Sequence, residues 1–316
     1  MPSRIVELFG YGPQDRSAVA SHGRRKLQCP FLGKQCVKTL NDGTISGVCT
    51  LKLVNSGPVI CCPIRLYAGN YEILNNVAQA AFGQDVELHP SGQIRRKISR
   101  GEVKGIPVAV FGKRWGGELR LPKRGGRGGY FVDWILARLN KDGSLAEFAA
   151  VEVQSIDTTG NYRAERNAHM RGATPTMSST AGLNWENVSK RILPQIIYKG
   201  HVLRREPLCQ RGLFFVCPEP VYERLRQRLG GDLLAYQLQP GALTFRWYDL
   251  GNAVPDGHIR PLSHRGQFTT TIDQVALAFT APANLPPPRV YEQAIREELG
   301  APRLSADEML NDLMKK

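Results

Sequence analysis

Acidic residues are scarce in this chain and long apolar runs are absent. Its 316 residues carry 28 Asp and Glu against 42 Lys and Arg, a formal charge of +14. That excess draws a protein to polyanions, with nucleic acid the first candidate. No apolar stretch approaches the roughly 20 residues of a membrane-spanning helix, and no amphipathic basic helix is evident that would lie on an anionic membrane. No membrane partner is therefore expected. The opening "MPSRIVELFGYGPQ" lacks the basic-then-apolar layout of a secretory signal, so a cytoplasmic, intracellular protein of prokaryotic type is expected. In a reducing compartment the seven cysteines stay thiols, either buried as small apolar groups or bound to metal. The remaining composition, 42% hydrophobic and 22% charged, is ordinary for a globular chain. The length suits one large domain or a domain with an appended module, and two units are expected.

The first 75 residues also lack sustained helical or strand periodicity and are rich in Gly, Pro and Cys, which suits a small metal-stapled module over 1–75 ahead of a larger domain over 76–316. Five of the seven cysteines lie there: Cys29, Cys36, Cys49, Cys61 and Cys62. With Cys62 as fourth ligand the intervening lengths are six, twelve and twelve residues, not a tight paired-CxxC ribbon. Four thiolates would take zinc or iron and leave no open position for a substrate, so the expected role is structural. Cys61 stands as the alternative to Cys62. The competing reading is five unrelated buried thiols. Cys209 and Cys217 are expected in the core.

Between Gln93 and Arg127 there are 11 basic residues and two acids, Glu102 and Glu118. Within that run, "LPKRGGRGGY" combines charge with glycines that let a backbone approach a phosphate closely. Lys113, Arg114, Arg120, Lys123, Arg124 and Arg127 are the candidate DNA-contacting residues; a solvated basic face is the plainer alternative.

The next stretch, "FVDWILARLNKDGSLAEFAAVEVQSID", reads as two strands joined by the turn signal Asp142-Gly143. A hairpin centred there sets Asp133 directly across from Glu152, whereas a three-residue loop would bring Val153 opposite instead. Facing side chains in an antiparallel pair have Cβ atoms about 4.5 to 5.5 Å apart, so two carboxylates there call for a compensating cation. Gln154 shares the face of Glu152, while Val151 and Val153 take the other face. A divalent ion between Asp133 and Glu152 is what phosphodiester hydrolysis needs; two acids facing water is the alternative. Glu118 is either a third ligand or an ion-pair partner of Arg114 or Arg120.

Elsewhere "YEILNNVAQAAFG" predicts a helix ended by glycine and "GIPVAVFG" a strand. "NWENVSKRILPQIIYKG" predicts a helix capped by Asn184 and interrupted at Pro194. "GLFFVC", "ALTFRWYDLG" and "TTTIDQVALAF" read as strands, and "EPVYERLRQRLG", "VYEQAIREELG" and "ADEMLNDLMKK" as helices. The class is α/β or α+β, with a mixed central sheet flanked by helices because the hairpin supplies antiparallel pairing.

A carboxylate followed by Glu-x-Gln on the next strand resembles the nuclease core written PD-(D/E)xK, with Gln154 where the lysine stands. Together with "ELFGY", "CPFLGKQC", "GVC", "CCPIR" and "VEVQSIDTTGNYR", it is similar to the NotI-type restriction endonucleases, over the N-terminal module and the core to about Arg166. The resemblance implies a restriction-endonuclease-like fold and a type II enzyme that cuts double-stranded DNA at a long GC-rich palindrome as a homodimer. It implies iron on Cys29, Cys36, Cys49 and Cys62, and an active site of Glu118, Asp133, Glu152 and Gln154 around Mg2+. Two departures stand out. Val132 precedes Asp133 in place of proline, and Gln154 offers an amide where a lysine would offer charge, so more of the electrostatic work falls on metal and nearby basic groups. A metal-stapled nucleic-acid-binding protein without catalysis is the alternative, and a repair or nicking nuclease a third reading.

Overall fold

The hairpin carrying the two acids forms the middle of the molecule. A computed structural model describes residues 4–53, 57–117, 119, 131–176, 179–281, 285 and 288–300. Around the expected turn, Asp142 Oδ1 accepts from Ser144 N at 2.9 Å and from Ser144 Oγ at 2.6 Å. Gly143 adopts φ 80°, a left-handed conformation that glycine takes without Cβ strain. Asn140 N bonds Ser144 O at 2.9 Å, so the loop is three residues long. The resulting offset does not persist. A register shift between Arg138 and Leu139 restores the pairing, and Trp134 faces Val151. One step further, Asp133 falls opposite Glu152.

The chain begins with β1 (Arg4–Leu8), α1 (Ala18–Arg25), β2 (Gln28–Cys29), β3 (Lys34–Gln35), β4 (Val48–Lys52) and β5 (Pro58–Ile60). A 3-10 turn, Pro63–Tyr67, leads into α2 (Ala68–Phe82), then β6 (Val86–Pro90), α3 (Ser91–Ser99) and β7 (Ile106–Gly112). The hairpin strands are β8 (Trp134–Leu139) and β9 (Leu145–Val153). After them come β10 (Thr158–Thr159), α4 (Arg163–Met170), β11 (Gly182–Leu183), a π-helical turn at Val188–Ile192 and α5 (Leu193–Leu203). The described chain closes with β12 (Leu213–Pro218), α6 (Glu219–Leu229), β13 (Ala242–Leu250), β14 (Leu262–Thr271), α7 (Ile272–Thr280) and α8 (Val290–Glu298).

Seven strands form one mixed sheet in the order β14-β13-β12-β9-β8-β7-β6. Strand β12 runs parallel to β9 and β13, while β7-β8, β8-β9 and β13-β14 are antiparallel. One face packs Val108, Trp134, Val151, Phe214 and Val216 with Ile73, Leu74 and Val77 of α2. The other packs Ala150, Phe215 and Phe245 with Leu193 and Ile196 of α5, Val221 and Leu225 of α6 and Val275 of α7. The mixed sheet and its flanking helices are those of a restriction-endonuclease-like core.

Several local expectations need correction. The N-terminal segment holds a three-stranded antiparallel sheet, β1-β4-β5; its strands are three to five residues long and mostly buried, so neither alternation nor length betrays them. "TTTIDQVALAF" splits at Thr271, whose hydroxyl accepts from Gln274 N at 3.3 Å and caps α7. Asn184 caps nothing: its N–H bonds Asp157 O at 2.8 Å. Pro194 does stand at an irregularity inside one helical run: the π-helical turn Val188–Ile192 passes directly into α5 just ahead of it, where the proline has no N–H to give. Arg95, Arg96 and Lys97 of the basic run lie on α3, a helix not expected from the sequence. The expected boundary at residue 75 falls inside α2, and "ADEMLNDLMKK" lies outside the described residues.

Helix α5 sits unusually close to α7. A Cβ built on Gly200 would come 2.3 Å from Ile272 Cδ1 and 2.4 Å from its Cγ1, and Ile272 is itself buried. Glycine to alanine in an exposed helix interior gains up to about 1 kcal/mol. Here the sign reverses, and Gly200→Ala is expected to cost about 1–3 kcal/mol through overpacking, read as a lowered urea midpoint.

Candidate active site

Asp133 precedes β8 and Glu152 lies in β9, both on the face that α5 covers. Val153 N donates to Asp133 Oδ2 at 2.9 Å, which ties the first carboxylate to the strand of the second. Glu152 is only 8% exposed. Its Oε1 accepts from Lys199 Nζ of α5 at 2.5 Å, while its Oε2 is buried without a hydrogen-bond partner. Such an orphaned carboxylate oxygen is costly unless something positive reaches it.

Electrostatics follow from this packing. Burial pushes the Glu152 carboxyl up to about 7, the facing Asp133 charge pushes the same way, and Lys199 opposes both. Asp133 is also raised, again chiefly by burial, against the Val153 N–H and the charges of Lys199 and Arg114. Glu152 is buried while Asp133 is open to solvent, and the two carboxylates with one ammonium beside them form an arrangement short of positive charge.

Gln154 continues the strand, its N–H bonding Val216 O at 2.9 Å and its Nε2 donating to Ser155 O at 3.3 Å. Behind the acids, Trp134 Nε1 donates to Tyr67 Oη at 3.1 Å. The Tyr67 hydroxyl is held above its ordinary range by burial first and then by the Asp133 charge. Arg114 lies over the Tyr67 ring, 5.5 Å from its centroid, and its charge reaches both Asp133 and Cys29. Carboxylates and cysteines thus share one basic neighbour.

A groove of about 530 Å3 opens beside Asp133 and Lys199, floored by Ile135, Ala137 and Phe111, with Lys113 at its rim. Of the six candidate DNA-contacting residues, Lys113 and Arg114 therefore border the acids and both are exposed. Arg120, Lys123, Arg124 and Arg127 lie outside the described residues, as does Glu118. Lys199 was not singled out in the sequence. It lies 47 positions beyond Glu152, and its only herald was the missing charge at Gln154.

The five N-terminal cysteines are free thiols, Cys36 half-buried and the other four buried. Burial raises the Cys29 thiol and Cys36 adds to it. Cys49 is pushed well up by burial and by Cys62, and Cys62 to about 11, with Cys36 among its neighbours. Cys61 turns elsewhere. Its sulfur meets Lys38 Nζ at 3.3 Å and Cys49 O at 3.5 Å, and it packs with Val48 and Val59, whereas Cys62 packs with Cys29. Consecutive extended residues point to opposite faces, so Cys62 is the one that shares a neighbourhood with the other three. The Lys38 ammonium, bonded also to Cys61 O at 2.8 Å and Val48 O at 3.3 Å, places a buried positive charge beside the thiols. Among the described residues, no three His, Cys, Asp or Glu side chains stand close enough as placed to hold an ion. Cys209 and Cys217 are buried in the core.

A family model described as "Restriction endonuclease NotI" matches residues 15–225. That span takes in the cysteines, both acids, Gln154 and Lys199. No curated protein matches the chain, and among the described residues no helix is long and apolar enough to cross a membrane.

Proposed function

The chain belongs to the NotI restriction endonuclease family, type II enzymes that cleave DNA at specific sites, and on that premise we propose that it hydrolyses double-stranded DNA at a GC-rich palindrome, as a homodimer, with Mg2+ held by Asp133 and Glu152. The observation that carries the reading is the facing acid pair, with Glu152 buried and its Oε2 unpartnered while Asp133 stays open to solvent beside it. When bound, Mg2+ polarises the phosphate and makes water a stronger nucleophile. Asp133 and Glu152 fit such an ion because their like charges, held close together, need a counter-charge.

Val153 N–H orients Asp133. Gln154 offers an amide to orient water or a phosphate oxygen, and Glu118 would complete the set. Lys113 and Arg114 would receive the DNA backbone, joined by Arg120, Lys123, Arg124 and Arg127. Iron, with zinc the alternative, would be held by Cys29, Cys36, Cys49 and Cys62. It would staple loops that border the acids through Arg114 and Tyr67 and would stand outside the chemistry. A twofold dimer would present one acid pair to each strand, and arginines suit guanine-rich sites through bidentate bonds to O6 and N7. The non-catalytic reading yields to the family match.

Digestion of a plasmid of random sequence with Mg2+ should give discrete fragments with one common, GC-rich end sequence. A smear, or intact plasmid across metals and salts, would sink the proposal. A pH experiment tests the acid pair separately. The folded-state pKa of Glu152 is raised, so its favourable contribution is present below the ordinary carboxylate range and is lost as pH rises through about 7. The melting midpoint without divalent ions should thus fall between pH 5.5 and 8. Millimolar Mg2+ should restore it at pH 8, by several degrees on the order of ligand linkage, and do nothing at pH 5.5. Glu152→Gln should abolish both effects.

A further inference from the structure

The strand that carries Glu152 lacks the lysine its motif calls for, yet an ammonium stands at the site. Lys199 Nζ lies 2.5 Å from Glu152 Oε1, the two side chains 19% and 10% exposed. Its surroundings are largely apolar: Val202 and Leu203 of the same helix and Ile135 of β8 line the same groove, with Asp133, Lys113, Arg95 and Glu206 as its charged members. A desolvated ion pair in such a place is a poor stabilising device, since hydrophobic residues of similar volume would do as well or better. Its seat is nevertheless fixed, with Gly200 bringing α5 against Ile272.

Resting on the nuclease reading of the Asp133–Glu152 site, we propose that Lys199 is a catalytic residue: its ammonium, delivered by α5, takes the place of the lysine absent at Gln154 and contacts the phosphate under attack. The oxygen of water forms a bond to phosphorus and gives up a proton to solvent, and the bond to the leaving oxygen breaks. That oxygen departs with the electron pair and takes a proton from solvent. Lys199 keeps its protons throughout and stabilises the charge that accumulates on a non-bridging oxygen. Before DNA arrives the ammonium rests on Glu152 Oε1, a site a divalent ion would contest.

The test uses the full chain and a duplex containing the site mapped by digestion. Single-turnover cleavage is measured at saturating Mg2+ for Lys199→Met, Lys199→Arg and the double variant Q154K/K199M. Two readouts need no turnover: calorimetric Ca2+ binding without DNA, and DNA affinity in chelator. Lys199→Met should cleave about 100-fold more slowly, the scale of a lost electrostatic donor, with DNA affinity in chelator lowered by no more than about tenfold, the loss of one phosphate contact, and Ca2+ bound more tightly because the competing ammonium is gone. Lys199→Arg should retain more activity than Lys199→Met, and Q154K/K199M should recover at least about tenfold by returning a charge to the strand position.

Wild-type rate in Lys199→Met at saturating Mg2+ would overturn the proposal, reducing Lys199 to a resting counter-ion. So would a rate loss that merely tracks lost Ca2+ binding, which would make the lysine a prop for Glu152. A wild-type protein that does not cleave, or a Glu152→Gln variant that does, would overturn the acid-pair reading and this inference with it. Normal behaviour of both beside a fully active Lys199→Met overturns the inference alone.

Discussion

Glu152→Gln is expected to lower cleavage by at least roughly 1,000-fold, near the upper range for losing a single charge-stabilising group in a nuclease-like site, while DNA binding in chelator survives. The substitution keeps the shape and one acceptor oxygen but removes the charge that faces Asp133 and meets Lys199. Removing a negative charge from a surface that faces phosphates should, if anything, tighten binding without metal. Asp133→Asn should behave alike. Combining the two should add little, because groups that act as one unit are not additive. Filter binding and single-turnover digestion on the same preparations make the check; a Glu152→Gln protein that cuts within tenfold of wild type would remove the pair from the chemistry.

The second large effect concerns folding. Arg65 and Glu7 are 0% and 1% exposed, and their guanidinium and carboxylate meet twice, at 2.9 and 3.0 Å. Thr50 Oγ1 donates to the same carboxylate at 2.5 Å, and Arg65 Nη2 also reaches Arg260 O at 2.6 Å. One ion pair thereby stitches β1, β4, the 3-10 turn after β5 and the loop between β13 and β14. Arg65→Met leaves Glu7 buried and unpaired, which costs about 3–5 kcal/mol. E7M/R65M removes both charges and should recover much of that loss. Urea melts of the wild type, the two single variants and the double variant close the cycle. If the double variant is as unstable as the two single losses combined, the pair holds no coupling.

The sequence reading and the structure agree most closely where the determinants are local. Asp142-Gly143 between the apolar stretches "WILARL" and "AAVEV" specifies the hairpin, and although its loop is a residue longer than a two-residue turn, the bulge returns Asp133 to Glu152. Cys61 and Cys62 were left as alternatives, yet two adjacent extended residues must diverge, and the Lys38 contact shows which way Cys61 turns. What escaped depended on distant chain. Lys199 meets Glu152 only because β12 pairs with β9 and α5 packs on the intervening face, and no spacing rule relates the two. Helix α3 escaped for a different reason. Ile94 and Ile98 are its main apolar residues, and the three cations between them read as part of a charged run. The β-branched threonines before Asp273 made one strand of what is a strand end and a helix cap.

The three-residue hairpin loop between Asn140 and Ser144 also bears on the order in which the site assembles. Closing a short hairpin restricts little chain and proceeds in microseconds, whereas contacts between distant segments wait on slower, long-range closure. Asp133 and Glu152 are joined by the first kind of event, and Lys199 reaches them by the second. A nascent or partly unfolded chain therefore displays the acid pair before it can bring up the ammonium. On the proposal that Lys199 is needed for cleavage, nuclease competence would come only with late folding events, and a chain that has not finished folding would be a harmless one.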